Sequence, residues 1–168
     1  MKVGIFFGSS TGNTESAVEK LVDMMNENGF TAESHNVASI STDDFDNYET
    51  MIFATSTWND GELQDDFDSI FKDFEKYDFS GKKVSFLGLG DQDGYSENFV
   101  DGIGLLYKAA KGADFFGSWP TAGYDYDASV AEVDGKFVGL ALDADNQDEM
   151  TEERIEKWVA QIKKELGV

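Results

Sequence analysis

Short apolar runs alternate along the chain with segments whose apolar residues recur every three or four positions. Runs of this length are typical of strands, and the helical spacing is typical of amphipathic helices. The strand-like runs are residues 3–7, 31–37, 51–55 and 83–89. The helix-like segments are residues 15–28, 66–75 and 99–111, a short one at residues 42–45 that Thr42 is expected to cap, and a last one that Thr151 is expected to cap. Strands that alternate with helices predict a parallel sheet covered by helices on both faces.

The last strand of this pattern is divided. Residues 113–118 and 137–142 are both strand-like, and the segment between them is rich in Gly, Tyr and Asp. We interpret the two pieces as one strand interrupted by a long loop, which is uncommon in a compact domain and usually has a use. The loop, residues 121–136, either recognises a partner or packs over the divided strand. The whole chain, 1–168, is predicted to form one domain.

Charge and composition exclude several classes of function. The 168 residues include 34 acidic and 13 basic side chains, for a net charge of −21. Such a charge argues against a nucleic acid or an anionic membrane as a partner. It favours partners with basic surfaces, or an adaptation to high salt or for solubility. With no Cys and one His, thiol catalysis, Cys-ligated clusters and multi-histidine metal sites are excluded. No segment is apolar enough to insert into a membrane or to direct secretion, so we expect a cytoplasmic protein.

The loop between the first strand and the first helix has the chemistry of a phosphate site. Its sequence, GSSTGNT at residues 8–14, leads into a helix N-terminus, where free backbone N–H groups favour an anion. Asn13 stands where a nucleoside-triphosphate loop has Lys, and the dinucleotide glycine spacing is absent. The loop therefore suits one terminal phosphate, although an ordinary turn capped by Thr remains an alternative. The candidate phosphate ligands are Ser9, Ser10, Thr11, Gly12, Asn13 and Thr14.

Two further polar loops each carry one large aromatic residue. Residues 56–62 follow the third strand and contain Trp58, and residues 90–99 follow the fourth strand and contain Tyr95. In sheets of this type, loops at the carboxyl ends of the strands converge on the ligand. Two aromatic rings across a slot form a stacking site for a flat ring. A phosphate beside such a ring describes a mononucleotide, and without a nucleophile or metal ligands nearby an electron-carrying ring fits best.

These segments together resemble the flavodoxin family, of the long-chain kind, over essentially the full length. The segments that carry the resemblance are GSSTGNTES at 8–16, TWNDGEL at 57–63, GDQDGYSENF at 90–99, and the divided strand followed by DADNQ at 143–147. The resemblance implies a doubly wound α/β fold with a five-stranded parallel sheet in the order 2-1-3-4-5. It also implies non-covalently bound FMN and no enzymatic activity of its own. The expected function is low-potential one-electron transfer between semiquinone and hydroquinone, in place of ferredoxin.

The resemblance also assigns roles to residues. Ser9 to Thr14 would hold the phosphate, while Trp58 would cover the inner face of the ring and Tyr95 the outer face. The polar edge of the ring would be lined, largely by backbone groups, by Thr57, Asn59, Gly61, Leu89, Gly90 and Asp91. Asn98 would act less directly, and Asp145 would reach the ribityl chain. Asp60 departs from the apolar residue expected before that glycine and adds a charge beside the flavin.

By the same resemblance, the expected partners are redox proteins with basic surfaces, and the carrier is expected to be a monomer. Those partners are ferredoxin–NADP reductase, photosystem I and iron–sulfur oxidoreductases. Acidic residues near the ring, among them Asp60 and Asp91, would disfavour the anionic hydroquinone and lower its potential. A carbonyl within residues 59–61 would rotate to accept the N5–H of the semiquinone. Gly61→Ala is therefore expected to destabilise that state selectively.

Three other functions are consistent with parts of the sequence. An FMN-dependent quinone reductase would share the fold, but a Tyr over the outer face of the ring argues against open access. A receiver domain would need Asp at the end of the third strand, where the chain has Thr55 and Ser56, and Lys where it has Asp143. An acidic binding module without a cofactor would be colourless.

Overall fold

Parallel strands form the central sheet of the computed structural model, which describes all 168 residues. The main strands are β1 (Lys2–Phe7), β2 (Thr31–Asn36), β3 (Thr50–Trp58) and β5 (Lys83–Leu89), and a two-residue strand β4 (Glu62–Leu63) follows β3. Their order is β2-β1-β3-β5, and the last position, beside β5, is occupied by the divided strand. This arrangement confirms the predicted fold class and strand order.

Four α-helices connect and cover the strands. They are α1 (Asn13–Glu27), α2 (Asp65–Lys76), α3 (Asp101–Ala109) and α4 (Thr151–Leu166). The chain runs outward from β1 to β2 and then returns past β1 to β3, so right-handed crossovers place helices on both faces. Helices α1 and α4 pack against each other. None of the helices combines the length and the apolar character needed to cross a bilayer.

Aromatic side chains fill much of the core. The Phe53 ring lies at the centre of one cluster, with ring centroids 5.0 Å from Phe74 and 5.2 Å from Phe45. On α2, the helical spacing correctly indicated core packing, since Phe67 and Phe74 are fully buried and Ile70 and Phe71 partly so.

The divided strand lies beside β5, as predicted, but its two paired segments are shorter than predicted. Strands β6 (Asp114–Phe115) and β10 (Leu140–Leu142) both pair in parallel with the same edge of β5. Residues of the interruption form a separate antiparallel sheet from β7 (Trp119–Pro120), β8 (Glu132–Val133) and β9 (Lys136–Phe137). Phe137 therefore belongs to this small sheet and not to the central one, because it pairs with Trp119 and Glu132.

Two predicted helix caps were wrong. The short helix spans Thr42–Asn47 as a 3-10 helix, and the hydroxyl of Ser41 caps it instead of Thr42. Thr151 is the first residue of α4 and not its cap, because the 3-10 turn Asp148–Met150 runs directly into the helix. The Thr151 hydroxyl is buried and has no hydrogen-bond partner.

Candidate functional site

The three loops predicted to converge meet at the carboxyl edge of the central sheet. They line an open cleft of about 280 Å³, just below the usual range for small-molecule sites. No basic side chain lines it. The lining residues are Thr11, Asn13, Ser56, Thr57, Trp58, Asn59, Leu89, Gly90, Asp91, Tyr95, Ala144 and Asp145.

The loop after β1 presents free backbone donors at one end of this cleft. The amides of Ser10, Thr11, Asn13 and Thr14 donate to no other group of the protein. Gly12 has a left-handed backbone with φ of 92° and begins α1 without a side-chain cap. The Ser9 hydroxyl instead accepts from the Gly12 amide at 3.1 Å and the Glu15 amide at 3.5 Å. A cluster of free amides at a helix N-terminus is an anion site.

Gln64 holds this loop in place from below. The side chain is 1% exposed, and its Oε1 caps α2 by accepting from the amides of Asp66 and Phe67. Its Nε2 donates to the Ser10 hydroxyl at 3.0 Å. A methyl group on Gly8 would overlap Gln64 Oε1, so only glycine lets β1 end this close to the α2 cap.

The two predicted aromatic residues project from the cleft walls. Trp58 is 37% exposed and Tyr95 is 48% exposed, whereas most large apolar side chains of the protein are buried. Neither ring contacts another aromatic ring. Trp58 Nε1 donates to the Ser56 hydroxyl at 2.8 Å, which fixes the indole against its own strand. Two exposed aromatic rings beside an anion site leave room for a flat ring to bind.

The segment after Thr55 differs from the predicted loop, because β3 continues to Trp58 and pairs with β4 as a hairpin. Its turn, Asn59 to Gly61, has φ of 48° at Asn59 and 90° at Gly61. Beneath it, Asp101 is 4% exposed and accepts from Asn98 Nδ2 at 3.0 Å and from the Val130 amide at 2.8 Å. The Gly102 amide donates to the Thr57 hydroxyl at 2.8 Å, which ties the hairpin to the start of α3.

The loop that carries Tyr95 is a turn built around Asp91. Asp91 Oδ1 accepts from the amides of Asp93 at 3.1 Å and Gly94 at 2.8 Å, and the Asp91 carbonyl accepts from the Tyr95 amide at 2.9 Å. Hydrogen bonds from Gly94, Asn146 and Asp93 hold the pKa of Asp91 below its ordinary value. Burial and the charges of Asp91 and Asp143 raise the pKa of Asp145.

The long interruption packs against this same loop. The Ser96 carbonyl accepts from the amides of Asp127 and Ala128, at 2.8 and 3.0 Å. The Phe99 ring lies between Tyr124 and Tyr126, with centroid distances of 5.6 and 5.4 Å. These contacts pack the interruption over the turn that carries Tyr95. The Tyr124 hydroxyl also donates to the Ala141 carbonyl of β10, as expected of a loop packed over the divided strand. Recognition of a partner by this loop stays a prediction.

Most of the predicted site residues line the cleft, and the others lie beside it. Those in the lining are Thr11, Asn13, Thr57, Trp58, Asn59, Leu89, Gly90, Asp91, Tyr95 and Asp145. Those beside it are Ser9, Ser10, Gly12, Thr14, Asp60, Gly61 and Asn98. Sequence analysis did not identify Ser56, Ala144 or the supporting Gln64. Ser56 precedes Trp58 by two residues and so shares its face of the strand, which was a usable indication.

Comparison with known proteins identifies the family. The sequence model of the flavodoxin family matches residues 5–158. A flavodoxin from a Picosynechococcus species is 44% identical over 169 aligned residues, which cover 99% of each chain. Flavodoxin 1 from Escherichia coli is 43% identical, with 97% of this chain and 93% of that one covered. The structure of Fusobacterium nucleatum flavodoxin bound to flavin mononucleotide superposes with a TM-score of 0.90 at 35% identity, covering 98% of both chains. The chain belongs to the flavodoxin family.

Proposed function

We propose that this protein is an electron carrier that binds FMN in the cleft between Trp58 and Tyr95. The observation that carries the proposal is the pairing of two exposed aromatic rings with a cluster of free amides at the start of α1. The solved flavodoxin with FMN bound, which shares the fold at 35% identity, supports the same cofactor.

The residues present fit a phosphate, a polar chain and a flat ring. The free N–H groups of Ser10, Thr11, Asn13 and Thr14 would hold the phosphate without a cation, aided by the positive end of α1. Trp58 and Tyr95 would cover the two faces of the ring, each contact contributing about 0.5–1.5 kcal/mol beyond burial. Asn59, Gly90 and Asp91 also line the cleft, and their backbone groups would bind the polar edge of the ring.

The protein's part in the chemistry is electrostatic. When bound, FMN supplies a ring that accepts and releases single electrons. Asp91 and Asp145 lie in the cleft wall, and no Lys or Arg lines it. Carboxylates beside the ring disfavour added negative charge, so they would lower the potential at which the last electron enters. The free amides of Asp60 and Gly61 face no other group of the chain, and that turn can adjust its peptide groups to the ring.

The proposed partners are redox proteins with basic surfaces around their own cofactors. With a net charge of −21, association would be steered electrostatically and would weaken with salt, since the Debye length is about 8 Å at physiological ionic strength. By family resemblance these are ferredoxin–NADP reductase, photosystem I or iron–sulfur oxidoreductases. A working monomer is also part of the proposal, supported by how few large apolar residues are exposed outside the cleft, namely Met1, Phe115 and Val130.

The test is a visible spectrum of the purified protein, followed by FMN titration and a potentiometric titration of the two one-electron couples. We expect a yellow protein, stoichiometric FMN binding and a second couple well below that of free FMN. A colourless protein that does not take up FMN would overturn the proposal. Rapid oxidation of NADH by the pure protein, with no reductase added, would favour a quinone reductase instead.

A further inference from the structure

We propose that Asn146 is a positioning residue that ties the Asp91–Tyr95 turn to the end of β10 and so holds Tyr95 beside the ring-binding slot. The inference rests on the proposed function, because the slot matters only if a ring binds in it. Asn146 lies outside the lining of the cleft, but its side chain donates to Asp91, which is part of that lining.

Asn146 forms a bridge of hydrogen bonds between two carboxylates. The first of these belongs to Asp143, which directly follows β10. Asp143 is completely buried and forms no salt bridge. Its carboxylate is satisfied by N–H donors alone. Asn146 donates its backbone N–H at 3.0 Å and its Nδ2 at 2.9 and 3.1 Å. Gln92 donates its backbone N–H at 3.1 Å and its Nε2 at 2.6 Å.

The second half of the bridge reaches the turn that bears Tyr95. Asn146 Nδ2 also donates to Asp91 Oδ1 at 2.8 Å. That same oxygen accepts from the amides of Asp93 and Gly94, and the Asp91 carbonyl accepts from the Tyr95 amide. The position of Asp91 therefore determines the course of the backbone up to Tyr95.

One amide group thus separates two carboxylates that would otherwise repel each other. Asp91 and Asp143 both face Asn146, Asp145 adds a third carboxylate beside them, and the chain offers no cation there. An amide nitrogen can donate to both carboxylates at once, whereas a carboxylate at position 146 can donate to neither. Hydrogen bonds to charged groups are the stronger kind. Replacing this donor should therefore loosen the turn beyond Gln92, whose own hydrogen bonds to Asp143 remain.

The experiment compares Asn146→Asp with Asn47→Asp as a matched control. Both substitutions keep the shape of the side chain and add one charge, but Asn47 is exposed and its side chain makes no hydrogen bond. In flavin-free protein we measure backbone order parameters of residues 93–95 by NMR relaxation. We expect them to fall from about 0.85, typical of rigid backbone, to below about 0.6 in Asn146→Asp only. We expect the order to return as pH is lowered and the introduced carboxyl is protonated.

With FMN present, we expect Asn146→Asp to bind the cofactor about tenfold more weakly than Asn47→Asp. Equal order parameters in the two variants would overturn the proposal, and so would a loosened turn with unchanged FMN affinity. Asn146→Ala serves as a second variant that removes the donor without adding charge, and it should lie between wild type and Asn146→Asp. Because the relaxation measurement needs no flavin, it is independent of the proposed function, which fails separately if the wild-type protein does not bind FMN.

Discussion

Replacing Gly8 with Ala tests whether the close approach of β1 to Gln64 holds the phosphate loop. The added methyl group would overlap Gln64 Oε1 and come within 3.0 Å of Phe67 Cδ2. Gln64 is 1% exposed and has no open space into which it can turn. It must therefore give up its contacts with the start of α2 and with the Ser10 hydroxyl.

The magnitude follows from the contacts that are lost. Losing the cap of α2 costs about 1 kcal/mol, and losing the bond to Ser10 costs about 1 kcal/mol. Overpacking against Phe67 adds roughly 1–3 kcal/mol. We therefore expect Gly8→Ala to lower the free energy of unfolding of the flavin-free protein by about 3–5 kcal/mol.

Equilibrium unfolding in urea measures this cost, and a double-mutant cycle with Gln64→Ala identifies its cause. Gln64→Ala alone should cost about 2 kcal/mol through the lost cap and hydrogen bond. Adding Gly8→Ala to that variant should cost under about 1.5 kcal/mol, because the overlapping side chain is gone. A penalty for Gly8→Ala that is the same in both backgrounds, or below about 0.5 kcal/mol in the wild type, would refute the role given to Gln64.

Three further predictions concern the cleft. Tyr95→Ala should weaken FMN binding about tenfold, as measured by fluorescence titration. The free energy of unfolding of the flavin-free protein, measured in urea, should be nearly unchanged because the ring is 48% exposed. Gly61→Ala forces a side chain into a backbone with φ of 90° and 2.7 Å from Asp101 Oδ2, so it should destabilise the flavin-free protein by about 1–2 kcal/mol as well as lower the potential of the first one-electron couple. Because the pKa of Asp145 is raised in the folded protein, ionisation of its carboxyl lowers the free energy of unfolding. This loss of stability is absent below the ordinary carboxyl pKa of 3.8 and complete above the folded-state pKa. Asp145→Asn should therefore stabilise the flavin-free protein at pH 7 and have no effect at pH values below 3.8, as urea unfolding at several pH values would show.

Local patterns in the sequence were sufficient to predict the secondary-structure elements and the ligand chemistry of the loops. Periodicity identified every main strand and helix, because an element that buries one face must repeat its apolar residues with its own period. The loop after β1 was recognisable because its hydroxyls, its glycines and the following helix are contiguous in the chain. Trp58 and Tyr95 could be placed together because parallel strands end at a common edge.

Contacts between distant segments were decided by the tertiary structure alone. Nothing near Gln64 in the sequence indicates that it holds Ser10, 54 positions away, and nothing near Asn146 indicates that it reaches Asp91, 55 positions away. The extension of β3 to Trp58 likewise depends on pairing with β4. A side chain's own neighbours in sequence determine which backbone conformations it favours, whereas its hydrogen-bond partners depend on which distant segment the fold brings within about 3 Å.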